Sequence, residues 1–270
     1  MEINKNNLLL VFLNSIAVIA TIVVNTLAVV LPLNGKETGQ LSDNIPNLFV
    51  PSGITFSIWS VIYIFLIMFM LYQILDLTKK TKQDNVYLGK IGFWFISASI
   101  ANIVWIFLWH YEYVTLSLFA MLLLFASLLL IYQRLKIGLT NTILKEKIAV
   151  HITISIYLGW ITVATIANVT AVLVKLGVGG LFLGEASWAI LVIAVATIIT
   201  ILIILRRGDY AFSLVIIWAL IGIAIKRLSD DEIYGIQTNV AIAAIAAIIL
   251  VTFFMIVKII KTQTEKRLST

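Results

Sequence analysis

This chain of 270 residues contains no cysteine, only two histidines, and few charged residues, which make up 12% of the sequence. The absence of cysteine excludes disulfides, cysteine-ligated iron–sulfur clusters and thiolate chemistry. Two histidines are too few for a histidine-rich metal site or haem-shuttling site, and we expect no bound metal. The low charge argues against a soluble domain, because soluble domains of this length carry about twice as much.

Apolar residues dominate instead: 61% of the chain is hydrophobic and the mean hydropathy is +1.08. Runs of about 20 apolar residues recur, and each is long enough to cross a bilayer core. The first run lacks a small-residue cleavage motif, which favours a retained span over a signal peptide. We therefore predict an all-α polytopic membrane protein in a lipid bilayer, with about eight transmembrane helices. The predicted spans cover residues 8–30, 51–75, 91–109, 114–132, 148–176, 186–205, 210–225 and 236–257.

Lysine and arginine are unevenly distributed between the two sides of these spans. Of the 19 basic residues, 15 fall on the side of the two termini. The positive-inside rule then places both termini in the cytoplasm and the first loop outside. Because the basic residues occupy short loops, we expect no nucleic-acid partner. The absence of cysteine and usage rich in isoleucine, lysine and asparagine indicate a prokaryotic plasma membrane. On the other side lie Lys36, Lys175, Lys226 and Arg227.

The connection between the first two spans, the first loop (31–50), is the longest in the protein. It is rich in glycine, proline, asparagine and aspartate, a composition typical of a structured loop and not of a helix. Long ordered loops are usually lids or binding loops. We predict a lid marked by Pro46 and Pro51, and a plain connector is the alternative.

One face of the fifth span carries a phenol, an indole and an amide. On a helix, Tyr157, Trp160, Ala164 and Asn168 fall within about 80° of one another. A membrane helix has no solubility reason to collect such groups on one side. They either join helices by hydrogen bonds or line a cavity.

Related patterns occur in the second and third spans, and the three patterns together resemble those of a known family. The matching positions are Pro51, Trp59 and Tyr63 in the second span, Asn102 and Trp105 in the third, and Tyr157, Leu158, Trp160, Ala164, Thr165 and Asn168 in the fifth. This set resembles the tryptophan-rich sensory protein family, also called the translocator protein or peripheral-type benzodiazepine receptor family. Gly159 replaces the usual alanine of the fifth-helix motif.

The resemblance covers about residues 8–176 and implies a five-helix membrane domain over residues 1–176. Residues 177–270 would then form a three-helix C-terminal membrane extension. The sequence also departs from the family. Gly53 and Ile54 occupy the place of a tryptophan, prolines are absent after Trp105 and at Ile156, and the animal cholesterol-recognition pattern is missing.

The resemblance further implies a pocket among the first five helices, capped by the first loop, that binds a tetrapyrrole such as a porphyrin or haem. A flat π-system suits indole and phenol faces, with an amide or hydroxyl for orientation. No cofactor is required, since the tetrapyrrole would be a ligand. The implied ligand-binding residues are Trp59, Tyr63, Asn102, Trp105, Tyr157, Trp160, Ala164, Thr165 and Asn168.

Structural interpretations exist for several of these side chains. Asn102 and Asn168 are nearly as well explained by hydrogen bonds between helices. His110 and His151 fit packed or interfacial positions better than metal or haem ligands. Tryptophans near span ends are typical of the membrane interface, and this interpretation applies to Trp94, Trp109, Trp188 and Trp218.

We therefore predict a membrane receptor or sensor for a tetrapyrrole or similar flat hydrophobic small molecule. A transporter for such a molecule is the alternative. No span has an ionisable group clearly at its centre, which argues against an ion-coupled carrier. Porphyrin degradation ranks third, because no acid–base pair, metal cluster or nucleophilic triad is visible, and we expect no enzyme. A homodimer is an open alternative.

Overall fold

The computed structural model describes residues 5–31, 33–36, 38–77, 86–178, 180, 182–229 and 233–268. Within these ranges the regular structure is entirely helical, and the predicted all-α class is confirmed. Two short 3₁₀ helices (Leu33–Gly35 and Gly53–Ser57) and one π-helical segment (Lys147–Ile152) accompany the α-helices. The α-helices are α1 (Lys5–Val30), α2 (Thr38–Asp43), α3 (Ile58–Leu77), α4 (Val86–Ile91), α5 (Trp94–His110), α6 (Val114–Arg134), α7 (Leu144–Glu146), α8 (Thr153–Lys175), α9 (Glu185–Arg207), α10 (Tyr210–Leu228) and α11 (Thr238–Leu268).

Seven helices of the described ranges are long and apolar enough to cross a membrane. These correspond to α1, α3 with its preceding 3₁₀ turn, α6, α8 with α7, α9, α10 and α11. The remaining predicted span, over residues 91–109, corresponds to α5, a shorter apolar helix of 17 residues. At 1.5 Å per residue it measures about 26 Å, somewhat less than a hydrocarbon core of about 30 Å. The polytopic membrane character is confirmed.

Five helices form a closed ring. Helix α1 packs against α3 and α5, α5 packs against α6, α6 against α8, and α8 against α3. Helix α8 also contacts α10 on its outer side, and it is the most buried of the long helices. Because α8 is surrounded in this way, its polar and aromatic side chains face protein more than lipid.

Two buried amide pairs hold α1 in this ring. Asn14 Nδ2 donates to Gln73 Oε1 of α3 at 2.9 Å, and Asn25 Nδ2 donates to Asn102 Oδ1 of α5 at 2.6 Å. All four side chains are buried. Such bonds are worth about 0.6–2 kcal/mol in a bilayer, where an unpaired amide has no water to turn to. Asn25, within the first predicted span, therefore bonds to a neighbouring helix.

The last three long helices pack on one another, and α10 joins them to the ring through α8. A Cβ at Gly159 would lie 3.1 Å from Val215 Cβ and 3.2 Å from the Phe212 carbonyl oxygen. Glycine at this position of α8 therefore permits the close approach of α10. The division at residues 176 and 177 stays a prediction.

Asp209 fixes the start of α10 against α8. Its Oδ1 accepts a hydrogen bond from Phe212 N at 3.2 Å and caps the helix, while its Oδ2 accepts one from Ser155 Oγ at 2.7 Å. The carboxylate is buried. Both oxygens of this buried carboxyl group therefore have a hydrogen-bond donor, as a buried polar group requires.

The first loop is ordered in its described part and is tied to the turn between α5 and α6. Asn34 Nδ2 donates to the His110 carbonyl oxygen at 3.1 Å, and Lys36 Nζ lies 2.6 Å from Glu112 Oε1. The Lys36 hydrogen bond holds the pKa of the Glu112 carboxyl below its ordinary value. The prediction of a structured loop is confirmed for these residues, but the expectation that the loop contains no helix is wrong, because α2 and the 3₁₀ helix Leu33–Gly35 lie within it.

Candidate ligand-binding pocket

Trp59 is the centre of an aromatic cluster where α3 meets α8. Its ring stacks on Tyr63 of the same helix at a centroid distance of 5.8 Å. Two rings of α8 meet it edge to face, Tyr157 at 6.1 Å and Trp160 at 6.4 Å. Phe56, from the 3₁₀ helix before α3, adds an edge contact to Trp160 at 5.8 Å. The aromatic side chains that the sequence places on one face of α3 and on one face of α8 thus lie together in a single cluster.

A second aromatic pair comes from α5. The rings of Trp105 and Trp109 stack at 5.7 Å. The Trp105 indole N–H donates to Asn168 Oδ1 at 2.9 Å, and the Trp109 indole N–H donates to the Thr38 carbonyl oxygen at 3.3 Å. The first bond links α5 to α8 and the second links α5 to α2. Both indoles are therefore fixed in orientation.

A small cavity of about 40 Å³, the aromatic pocket, lies between these groups. Its floor and sides come from α3, α5 and α8, and its cover comes from residues 38–57, which we call the covering segment. The lining is almost wholly apolar and none of the lining side chains is ionisable. The lining residues are Thr38, Ser42, Pro51, Phe56, Trp59, Trp105, Trp109, Trp160, Val163, Ala164, Ala167 and Asn168.

A larger cavity of about 550 Å³, the lateral cavity, adjoins it between α1, α2, α3 and α5. Three residues, Thr38, Phe56 and Trp59, line both cavities and separate them. The lateral cavity is more polar, because amide and carboxylate side chains of α1 and α2 reach it. Its polar lining includes Asn25, Thr26, Gln40, Asp43, Ser60 and Tyr63.

The polar groups of the aromatic pocket differ in how they are satisfied. Asn168 Nδ2 donates to Ser117 Oγ at 3.1 Å, so its amide is used on both sides, by α5 and by α6. Trp160 is 3% exposed, and its indole N–H meets no acceptor among the described residues. The Tyr157 hydroxyl behind Trp59 is likewise buried and without a partner in that part of the chain. An unsatisfied donor beside a cavity is a group that a ligand can complete.

The predicted site residues divide into four groups. Trp59, Trp105, Trp160, Ala164, Asn168 and Pro51 line the aromatic pocket, as the motifs indicated. Tyr63 lines the lateral cavity instead. Tyr157 packs behind Trp59, Thr165 Oγ1 donates to the Ile161 carbonyl oxygen of its own helix, and Asn102 is engaged by Asn25. Pro46 lines a separate cavity of about 330 Å³ between the covering segment and the end of α10.

Of the tryptophans predicted to lie at the membrane interface, Trp109 and Trp218 make contacts within the protein. Trp109 is 5% exposed and forms a pocket wall, because α2 folds over the end of α5. Trp218 of α10 is half-buried and donates its indole N–H to the Thr55 carbonyl oxygen at 3.0 Å. The spacing of Trp105 and Trp109 on one stripe was the available signal for the first. Phe56, Thr38 and Ser42 were missed because no local sequence pattern shows which residues of the covering segment face the pocket.

Both histidines are packed within the protein. His110 Nδ1 lies 2.8 Å from the Ile106 carbonyl oxygen, and its Nε2 lies 3.4 Å from Thr38 Oγ1. His151 Nε2 lies 3.6 Å from Glu146 Oε1. Across the described ranges, no three or more His, Asp or Glu side chains gather as a metal site would require.

A ring of apolar helices around an aromatic pocket, with the covering segment folded over it, defines the class: a polytopic helical membrane protein with an aromatic cavity between its helices. The sequence profile of TSPO-like proteins matches residues 11–257, and the chain therefore belongs to the TSPO-like family. This match runs through α9 and α10 and into α11, beyond the residues that carry the motif resemblance. Comparison with curated proteins and with solved structures gives no match.

Proposed function

We propose that this protein is a membrane receptor or sensor that binds a tetrapyrrole, or a similarly flat hydrophobic molecule, among its first five long helices. The observation that carries the proposal is the aromatic pocket, where four indoles converge and Trp160 offers a buried N–H without an acceptor among the described residues. Indole faces stack on a flat π-system, and an N–H group orients it.

The size of the site supports a ligand that opens it. The aromatic pocket alone, at about 40 Å³, holds little more than water, whereas drug-sized ligands occupy roughly 300–1,000 Å³. Joined to the lateral cavity, it would offer about 600 Å³. The joining requires Phe56 and Trp59 to move, since these rings form most of the partition. We therefore propose that ligand binding displaces this pair.

A receptor is favoured over an open transport path by the packing below the pocket. Leu66, Phe69 and Ile154 are fully buried there, and Phe69 contacts Phe95 at 4.9 Å. Transport is the alternative, and ligand flux into proteoliposomes above that of empty vesicles would establish it. The pocket lining offers no acid–base pair, so the proposal is for binding and not for catalysis.

The proposal is tested by titrating the purified protein with protoporphyrin and following tryptophan fluorescence. Trp160→Leu should weaken saturable quenching, because it removes both a stacking face and the free donor. Trp94→Leu is the matched control, since Trp94 lies at the start of α5 and lines neither cavity. Equal quenching of wild type and both variants would mean that porphyrin partitions into detergent, and the proposal would fail.

We also propose that the membrane is a prokaryotic plasma membrane and that both termini are cytoplasmic. The support is the excess of lysine and arginine on the side of the termini. Because the natural chain has no cysteine, a cysteine added at Asn6 or at Ser229 reports one side without interference. Labelling of intact cells by an impermeant maleimide should modify the cysteine at Ser229 and spare the one at Asn6. The reverse pattern would refute this orientation.

A further inference from the structure

Helix α10 contacts the covering segment along a single stripe. Trp218, Gly222 and Lys226 follow one another at four-residue intervals, so they lie on one side of the helix. The Trp218 indole N–H donates to the Thr55 carbonyl oxygen at 3.0 Å, and Ser52 N donates to the Gly222 carbonyl oxygen at 3.0 Å. Lys226 Nζ forms an ion pair with Asp43 of α2.

The middle contact of the stripe depends on glycine. A Cβ at Gly222 would lie 1.9 Å from Thr55 Oγ1 and 2.9 Å from Thr55 Cβ. Thr55 is itself buried, so its side chain has no solvent to turn into. Any larger residue at position 222 must therefore push the 3₁₀ helix away from α10.

Each residue held by the stripe is adjacent in sequence to a residue of the aromatic pocket. Thr55 precedes Phe56 and Ser52 follows Pro51, while Asp43 of α2 follows Ser42. A shift at any of the three contacts thus moves a wall residue by way of a single peptide unit. The residues of the stripe itself do not line the aromatic pocket.

We propose that this stripe of α10 is a latch that positions the covering segment over the aromatic pocket, with Trp218, Gly222 and Lys226 as its positioning residues. The latch gives the C-terminal helices a role in the site, since α10 sets how readily the pocket opens. Its effect on a ligand rests on the binding function proposed above. Its effect on the covering segment does not.

The latch is tested without any ligand. Because the chain has no cysteine, Ser42→Cys places a single buried thiol in the pocket wall, and its rate of reaction with a maleimide reports opening. Adding Gly222→Ala should speed labelling about tenfold or more, the equivalent of about 1.4 kcal/mol in the opening equilibrium. Lys226→Gln should speed it only about two- to fivefold, because Asp43 of the ion pair is half exposed.

Matched controls separate the latch from general loosening. Gly89→Ala replaces another helical glycine, one with open space at its Cβ position, and Lys145→Gln removes an exposed lysine at the opposite end of the bundle. Neither should change the labelling rate. Thr55→Gly removes the three atoms nearest to the new methyl group at position 222. Adding it to Gly222→Ala should therefore return the labelling rate towards that of the Thr55→Gly single variant.

Three outcomes decide the matter, with thermal unfolding recorded for every variant. Faster labelling in Gly222→Ala that Thr55→Gly reverses supports the latch. Unchanged labelling in Gly222→Ala and Lys226→Gln overturns it, as does acceleration that Thr55→Gly leaves in place. Porphyrin titration of the same proteins is interpreted separately. If the latch variants label faster but none of the proteins binds porphyrin, the proposed binding function is refuted and the latch is still supported.

Discussion

Replacing Trp160 with phenylalanine should separate folding from binding, because its N–H group lacks an acceptor among the described residues. A buried donor without a partner costs about 1–3 kcal/mol, and Trp160→Phe removes that cost. The smaller ring loses packing, and since truncation of Trp to alanine costs about 3–5 kcal/mol, we place this loss at about 1–2 kcal/mol. The two effects oppose each other, so the free energy of unfolding should change by between about −1 and +2 kcal/mol.

Ligand affinity should respond differently. If the N–H group donates to the bound molecule, its loss costs about 0.5–1.5 kcal/mol, or about two- to twelvefold in Kd. Thermal unfolding in detergent and porphyrin titration on the same samples measure the two quantities. Trp105→Phe is the comparison, because its N–H already donates to Asn168 at 2.9 Å. That variant should lose stability, since it gives up a formed hydrogen bond as well as packing.

Two results would refute this reasoning. A fall in the melting temperature of Trp160→Phe by more than about 8 °C, which corresponds to at least about 2 kcal/mol, would show that the N–H group has an acceptor in the folded protein. If Trp160→Phe leaves the Kd for porphyrin unchanged while Trp160→Leu raises it, the ring at position 160 stacks on the ligand and its N–H group does not donate to it.

Three further changes test the structure around the pocket. Asn14→Leu leaves the buried Gln73 Oε1 without the donor Asn14 Nδ2 and should cost about 1–2 kcal/mol, measured as a lower melting temperature. The double variant Asn14→Leu, Gln73→Leu should partly restore the melting temperature. Asp209→Ala removes the cap of α10 and its bond to α8, and should cost about 1–3 kcal/mol in the same assay, with Asp209→Asn costing less. Lys36 lowers the pKa of Glu112, so the contribution of this ion pair is present above the ordinary glutamate pKa and is lost as the pH falls through the lowered value. Hydrogen exchange at residues 33–36, corrected for intrinsic rates, should be constant from pH 7 down to the ordinary glutamate pKa and rise as the pH falls further in wild type, and Glu112→Gln should abolish this dependence.

The helices follow closely from the sequence, because length and apolar composition decide what a bilayer core accepts. The residues at which the helices begin and end are less predictable. The span predicted over residues 210–225 continues as α10 to Leu228. Its last turn includes Lys226, which forms an ion pair with Asp43 of the covering segment, and Arg227, which is buried. The span predicted from residue 91 begins as α5 at Trp94, because Gly92 takes a positive φ of 53° and separates α4 from α5.

The pocket residues that lie on one face of a single helix were predictable, and those brought together by contacts between distant segments were not. Trp160, Ala164 and Asn168 repeat at helical spacing, so their common face could be derived from α8 alone. The fold of α2 over Trp109 depends on bonds between residues some 70 positions apart, such as that from Trp109 to Thr38. No local pattern encodes such a contact. The choice between ligand contact and helix pairing at Asn102 also needed its partner, Asn25.

The π-helical segment Lys147–Ile152 has a consequence for the register of α8. A π turn accommodates one residue more than an α turn over nearly the same rise, so it absorbs an extra residue without rotating the helix that follows. Removing one residue within this segment would restore a regular α-helix and keep Trp160 and Asn168 on the pocket side. Removing one residue between Tyr157 and Trp160 would instead turn the remainder of the face by about 100°. The start of α8 therefore tolerates a change in length that its middle does not.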